Sequence, residues 1–364
     1  MPASDVMRHG EHVMTVCNAC RYCEQYCPVF PAMERRLVFS PGDLSYLANL
    51  CHNCGECLYA CQYAPPHTFG INVPRTLAEI RLESYEDACW PPSAAAVFRR
   101  HNVPAVLALL LGMSAVISAI AWWLGTSVWR AAAGGDFYTV LPHHVLVAVF
   151  GTVSALAAAA LAGGVVRFWR QIDGPRAAAV RWPAVMRALK DALTLRHLHG
   201  GGVDCTSGEE TRSPWRRRWH HCAAYGFLLC FASTTVAAIY HVGFGWPAPY
   251  AYTSLPVVLG TVGGIGLVVG PAGLFALRRT RDEALGDPAQ QGLDTSFIAL
   301  LFLTSSTGLL LLALRERATM GVLLAVHLGS VMALFLTLPY GKFVHGIYRT
   351  LALVKDALEA SAAR

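Results

Sequence analysis

The stretches CNACRYCEQYCP (residues 17–28) and CHNCGECLYAC (residues 51–61) decide how this chain is read. Each spaces its cysteines as C-x2-C-x2-C-x3-C; Pro28 follows the first run directly, whereas Gln62 follows the second. With that spacing, three thiolates of one run hold a cubane while the fourth crosses to the other. One 4Fe-4S cluster is therefore expected on Cys17, Cys20, Cys23 and Cys61, and a second on Cys51, Cys54, Cys57 and Cys27. The competing readings are structural zinc, which usually takes two separated C-x2-C pairs, and disulfides.

Composition places this cysteine region on a membrane protein. Of the 364 residues, 54% are hydrophobic and only 14% charged, against a norm of about 25% charged. The net charge of +6 flanks apolar segments, as a topology signal does, so no nucleic-acid partner is expected. Cys89, Cys205, Cys222 and Cys230 show no framework spacing, and clusters need reduced thiols, which favours a cytoplasmic cysteine domain. The start MPASDVMRHGEH carries no apolar leader, so no secretory signal is expected.

Six apolar stretches approach the roughly 20 residues needed to cross a bilayer: Val103–Leu124, His143–Val166, His221–Val242, Leu255–Leu277, Phe297–Leu314 and Met320–Phe343. With the N-terminus inside, Arg99, Arg100, Arg216–Arg218, Arg278–Arg281, Lys342, Arg349 and Lys355 fall inside, and only Arg130, Arg315 and Arg317 outside. That satisfies the positive-inside rule and predicts a multi-pass protein of a bacterial-type inner membrane with both termini cytoplasmic. The fold class is mainly α: a ferredoxin-like two-cluster domain (1–70), a linker (71–101) in which Pro74 opens a helix, a six-helix bundle (102–350) with a cytoplasmic loop at 167–219, and a tail (351–364). Gly260, Gly263, Gly264, Gly266 and Gly270 do not complete a dinucleotide fingerprint and read instead as small residues that let membrane helices approach closely.

Ionisable residues inside spans are functional candidates. His241 ends the third span on the outer side, near the level of His327 in the antiparallel sixth; His345 closes the sixth on the inner side, where His220 and His221 open the third. On one continuous helix the 18 residues from His327 to His345 make five whole turns and roughly 27 Å, which puts both on one face near opposite surfaces. Two facing imidazoles suit a six-coordinate haem b that transfers electrons, so His241 with His327, and His220 or His221 with His345, are candidate ligands for one or two haems. The phase over α-helical turns favours His220 over His221. His143 and His144 open the second span; they can ligate, carry protons at a quinone site with Tyr250, or simply cap a helix.

These residues resemble two families. The segment from His327 through LPYGKFV to His345 is similar to the last span of the nitrate reductase gamma subunit, a di-haem quinol-oxidising membrane anchor, and Tyr240-His241-x-x-Phe244-Gly245 to its second span. Phe231 stands where that family has its inner ligand. Over its whole length, from CNACRYCEQYCPVF through CHNCGECLYACQY and GGGVDC to LPYGKFVHGIYR, the chain resembles the tricarballylate-utilisation (citrate-utilisation) protein B family. That resemblance implies a membrane iron-sulfur and haem protein that reoxidises the flavin of an FAD-dependent tricarballylate dehydrogenase.

The residues point the same way. The soluble part carries no phosphate-cradling fingerprint, nucleophile motif or carboxylate pair, so the chain is expected to do no substrate chemistry of its own. Electrons are expected to pass from a flavoprotein partner through two clusters and haem to a membrane quinone. The rivals are a quinol-oxidising module feeding a cytoplasmic reductase, and a redox sensor or a metal or haem transporter using His197, His199 and Cys205.

Overall fold

The computed structural model describes residues 4–129, 135–174, 180–198, 205–206 and 212–362. The N-terminal part is built from short helices. In α1 (Asp5–Cys20) the Ser4 hydroxyl accepts from the Met7 amide, and the helix ends where Arg21 turns left-handed and its N–H reaches the Cys17 carbonyl. Helix α2 (Val29–Glu34) follows Pro28, and α3 (Pro41–Leu50) opens on a reciprocal capping box between Ser40 and Asp43. After α4 (Glu56–Tyr59), α5 (Val73–Ala88) starts with Asn72 accepting from the Arg75 amide and with Pro74 in its first turn, where a missing N–H costs nothing.

The segment read as a linker is therefore ordered, and α5 belongs to the core. Leu77 and Ile80 are fully buried, and Gly10 lets Ile80 sit directly against the α1 backbone. Helix α6 (Pro92–Arg100) leads to the bundle.

Among the described residues, six helices are long and apolar enough to cross a membrane: α7 (Asn102–Trp123), α8 (His143–Gln171), α10 (Trp215–Ala238, extended by a π turn to Gly243), α11 (Leu255–Arg279), α12 (Pro288–Ala313) and α13 (Met320–Thr337). Between them, α9 (Trp182–Leu193) and a two-residue antiparallel pair, β1 (Cys205–Thr206) with β2 (Arg212–Ser213), lie in the long connection; α14 (Val344–Ala362) closes the chain. Much of the apolar surface of the spans faces outward, including Leu111, Val147, Phe231 and Val262, as lipid-facing sides do. The bundle runs α10 on α11 on α12 on α13 on α7, with α8 against α13.

Two expectations about the spans change. The fifth begins nine residues before Phe297, because Asp287 caps Ala289 and the polar turns holding Gln290, Gln291 and Asp294 are helical all the same. The sixth does not run from Met320 to Phe343: it stops at Thr337, Pro339 interrupts it, and a turn through Gly341, whose N–H donates to the Thr337 carbonyl, leads into α14. His327 and His345 thus stand on different helices, and the argument from five continuous turns fails.

The close approach of α10 and α11 follows from their small residues. A Cβ on Gly226 would fall 2.8 Å from the Gly263 carbonyl oxygen, and one on Gly263 2.8 Å from the Cys230 amide nitrogen. The N-terminal domain sits on one end of the bundle and shares a hydrophobic core with it: Leu47 and Leu77 pack in the same cluster as Phe168 of α8, Ala188 of α9 and Tyr348 of α14.

Candidate metal centres

Local backbone geometry brings the eight cysteines into two sets. The left-handed end of α1 turns the chain between Cys20 and Cys23, while Asn53 (φ 57°) and Gly55 (φ 94°) wrap the second run around its own centre. Only glycine suits position 55, since its φ is left-handed and a Cβ would meet Leu285 and Tyr59 at 3.0–3.1 Å. Cys17, Cys20, Cys23 and Cys61 line one cavity together with Phe30 and Tyr63, into which Cys57 also reaches from the other set. Cys27, Cys51, Cys54 and Cys57 line a second cavity beside it.

The chemistry of these donor sets fits a cationic cluster. Burial and then the neighbouring Cys61, Cys23 and Cys20 push the Cys17 thiol up to about 12, and burial with Cys61 and Cys20 takes Cys23 to about 11. Burial, followed by Cys54 and Cys51, raises Cys27 and Cys57 well above the ordinary thiol range. Four thiolates facing one another in a dry site repel, and bound iron inverts that logic by holding them deprotonated. The described cysteines form no disulfide, and among the described residues no three His, Cys, Asp or Glu side chains close on a single ion, as a mononuclear zinc would need. The Asn53 amide donates to Cys51 Sγ at 3.3 Å, the kind of contact that stabilises a ligating sulfur.

The second set is gripped by arginines from α5, the start of α10, the turn after α11, and α14. Three successive carbonyls accept from four arginines: Cys51 O from Arg81 Nη2 (2.7 Å) and Arg349 Nη2 (2.5 Å), His52 O from Arg216 Nη2 (2.8 Å), and Asn53 O from Arg216 Nη1 (2.8 Å) and Arg281 Nη2 (2.9 Å). Burial and the adjacent Arg81 lower Arg349 to about 10, which leaves it charged at neutral pH. His52 is buried beside this collar; its Nδ1–H donates to the Leu50 carbonyl, and desolvation together with Arg349 and His197 keeps the ring neutral.

The histidines sort by which ring nitrogen is occupied. His327 places Nδ1 3.2 Å from both the Thr304 carbonyl and Thr307 Oγ1 on α12, and Gly308 makes room for its ring. His220 Nδ1 is 2.9 Å from the Arg216 carbonyl one turn back, and His345 Nδ1 is 2.5 Å from that of Lys342. In all three an Nδ1–H to a carbonyl leaves Nε2 as the lone-pair nitrogen, which is the orientation a ligating imidazole takes. His220 and His345 lie within electrostatic reach of each other, and burial takes His345 down to about 3. His221 differs: its Nε2 is 3.3 Å from the Thr194 carbonyl and its ring stacks on Tyr225.

At the other end of the third span, His241 sits in the π turn and faces His143, their ring centroids 4.0 Å apart, with Tyr138 5.3 Å from each. His241 faces His143 of α8, whereas His327 faces α12. The buried Nδ1 of His241 has no hydrogen-bond partner. His144 is exposed, and the Tyr250 hydroxyl is held by the Ala237 and Trp246 carbonyls at 3.1 and 3.2 Å.

Family comparison places this geometry. The citrate utilization protein B family model matches residues 98–364, and the model of that family's Fer4-like domain matches residues 10–87. The chain belongs to the citrate utilization protein B family. A citrate utilization protein B of Escherichia coli is 52% identical over 352 residues, covering 96% of this chain and 91% of that one. No solved structure matches.

For this member of the family, several residues of the site carry no sequence signal. Arg349, Arg216 and Arg281 look like topology charges until the fold turns them onto the Cys51–Asn53 carbonyls, and Tyr138 lies outside every span. His197 Nε2 is 3.7 Å from Asp191 Oδ2, while His199 and the side chain of Cys205 lie outside the described residues.

Proposed function

We propose that this citrate utilization protein B family member is a membrane electron-transfer component that reoxidises a reduced FAD-dependent dehydrogenase of the tricarballylate type and delivers the electrons to a quinone. In this reading Cys17, Cys20, Cys23 and Cys61 hold one 4Fe-4S cluster, Cys51, Cys54, Cys57 and Cys27 the other, and His220, His345, His327 and His241 serve b-type haem. Bound there, clusters and low-spin haem supply one-electron carriers that split a two-electron donor from a two-electron acceptor. The chain's own residues supply order: thiolates, arginine collar and the His220–His345 pair follow one another from the outer surface of the cysteine domain toward the bundle.

The observation that carries the proposal is the unequal placement of the two thiolate sets. The first opens to a rim with Tyr22 67% and Phe69 51% exposed, which suits docking of a flavoprotein. In the second, Cys51 is buried and the carbonyls of Cys51 to Asn53 are held by Arg216 and Arg349, each one turn from an inner histidine. The bundle end that bears the cysteine domain is also the one rich in Arg and Lys, which supports a cytoplasmic location for both termini. The dehydrogenase partner and its substrate class come from the family resemblance.

The test uses the full chain purified from membranes. Iron, sulfide and haem are measured, then haem absorption is followed anaerobically with the reduced flavoprotein and with quinone. Two clusters, haem reduced by the flavoprotein and haem reoxidised by quinone are expected. A cluster-loaded chain without haem, or haem that only quinol reduces, overturns the proposal.

A further inference from the structure

Helix α9 is apolar on two faces, and only one of them is packed. Ala184 and Ala188 are buried and, with Val185 and Ala192, join the core shared with α14 and the cysteine domain. Trp182, Met186, Leu189 and Leu193 stay 70%, 47%, 36% and 53% exposed. At about 100° per residue these four fall within about 60° of one another, a single stripe along the helix. Lys190 and Arg187 follow on one flank of the stripe, and both are exposed. The single carboxylate of the helix, Asp191, lies toward the packed side, 3.4 Å from Arg196 and 3.7 Å from His197. The C-terminal end of α9 is pinned to a span. Tyr225 of α10 donates its hydroxyl to the Leu193 carbonyl at 3.1 Å, and Arg217 Nη2 donates to the Thr194 carbonyl at 3.1 Å. Tyr225 and Leu228, 45% and 47% exposed, lie on the outward side of α10, so the stripe ends beside surface that faces lipid.

We propose that α9 is an interfacial helix: its stripe from Trp182 to Leu193 is seated in the leaflet on the cysteine-domain side, and Lys190 and Arg187 hold anionic phospholipid headgroups beside it. The inference is independent of the cluster, haem and partner assignments. An apolar stripe with an aromatic residue and flanking cations is the composition of helices that lie in this layer. Buried apolar area supplies the general affinity, and the cations supply the preference for anionic headgroups. Continuity with the outward side of α10 and the cationic flank both favour lipid as the occupant. Because the opposite face of α9 carries core residues of the cysteine domain, one helix joins that domain to the leaflet, in addition to the spans.

The test uses the full-length chain in nanodiscs of phosphatidylcholine alone or with phosphatidylglycerol, with acyl-brominated lipid as a contact quencher. The Trp182 contribution is the emission of the wild type less that of Trp182→Phe. It is expected to be quenched in both kinds of disc, and more strongly with phosphatidylglycerol. High salt, and separately Arg187→Gln combined with Lys190→Gln, are expected to remove that difference, since each cation near an anionic surface contributes a factor of about five in binding. Hydrogen exchange across α9 needs no tryptophan variant: it is expected to be slower in the phosphatidylglycerol discs for the wild type and equal in both for the double variant. A Trp182 contribution that brominated lipid does not quench, or quenching and exchange equal in the two discs for the wild type, overturns the inference. Protection of α9 that appears only with the flavoprotein added, or only in discs holding two chains, also overturns it and assigns the stripe to the dehydrogenase or to a second copy. Each of these outcomes leaves the electron-transfer reading standing.

Discussion

His220 and His221 are neighbours with identical side chains, and what separates them is which carbonyl each ring meets. His220 turns Nδ1 back onto the Arg216 carbonyl and keeps Nε2 for the interior, whereas His221 has its Nε2 on the Thr194 carbonyl beyond α9. The expected outcome is loss of haem per chain in His220→Ala, measured as the pyridine haemochrome, with His221→Ala close to wild type; the reverse result removes His220 from the ligand set. The grouping of the cysteines into two sets needed no such help, because spacing within a turn or two is a local property that the sequence carries intact. The choice between adjacent histidines was legible only as a helical phase, and the π turn at Ile239–Gly243, which shifts that phase, left no mark that periodicity reveals.

Two elements show how far such periodicity reaches. The apolar run from Met320 to Phe343 reads as one helix because hydropathy is blind to the backbone, but Pro339 cannot continue the i to i−4 ladder, and the turn it forces separates His327 from His345. The glycine-rich α11 was legible for the opposite reason, since a missing side chain is itself the packing signal. Gly263 meets the Cys230 amide and the Gly226 carbonyl at 2.8 Å from where a Cβ would stand, and backbone cannot give way as a side-chain tip can. Gly263→Ala is therefore expected to destabilise by about 1–3 kcal/mol, read from denaturant unfolding in detergent. Gly112→Ala on α7, with open space around its Cβ, is the control and is expected to leave the unfolding midpoint unchanged or slightly raised. Equal behaviour of the two variants would show that α10 and α11 do not close on each other as described.

At the scale of the molecule, the cysteine domain and the bundle are held together by the last turns of the chain. Arg36 donates to Asp43 and, at 2.7 Å, to Glu359, while Arg35 pairs with Asp356 at 2.5 Å and reaches Glu359 at 3.3 Å; Lys355 approaches Glu359 at 3.6 Å. Glu359 thus neutralises three cations contributed by α2 with its adjoining turn and by α14 itself, at about a quarter exposure. Partners so placed fall between the surface limit of about 1 kcal/mol or less and the buried limit of about 3–5 kcal/mol for breaking a pair, so Glu359→Ala is expected to cost about 1–3 kcal/mol. That cost falls on docking rather than on the spans, because the transmembrane helices make none of these contacts. Hydrogen exchange should therefore rise across α1–α3 and the inner end of α14, while haem absorption and the unfolding of the spans stay as in the wild type. The same variant should slow haem reduction by the flavoprotein without changing reoxidation by quinone, since only the transfer across the domain boundary depends on how closely the second thiolate set is pressed onto Arg216 and Arg349. If exchange in α1–α3 is unaltered, the shared hydrophobic core alone fixes the two parts, and the ion-pair clasp is a surface feature without mechanical consequence.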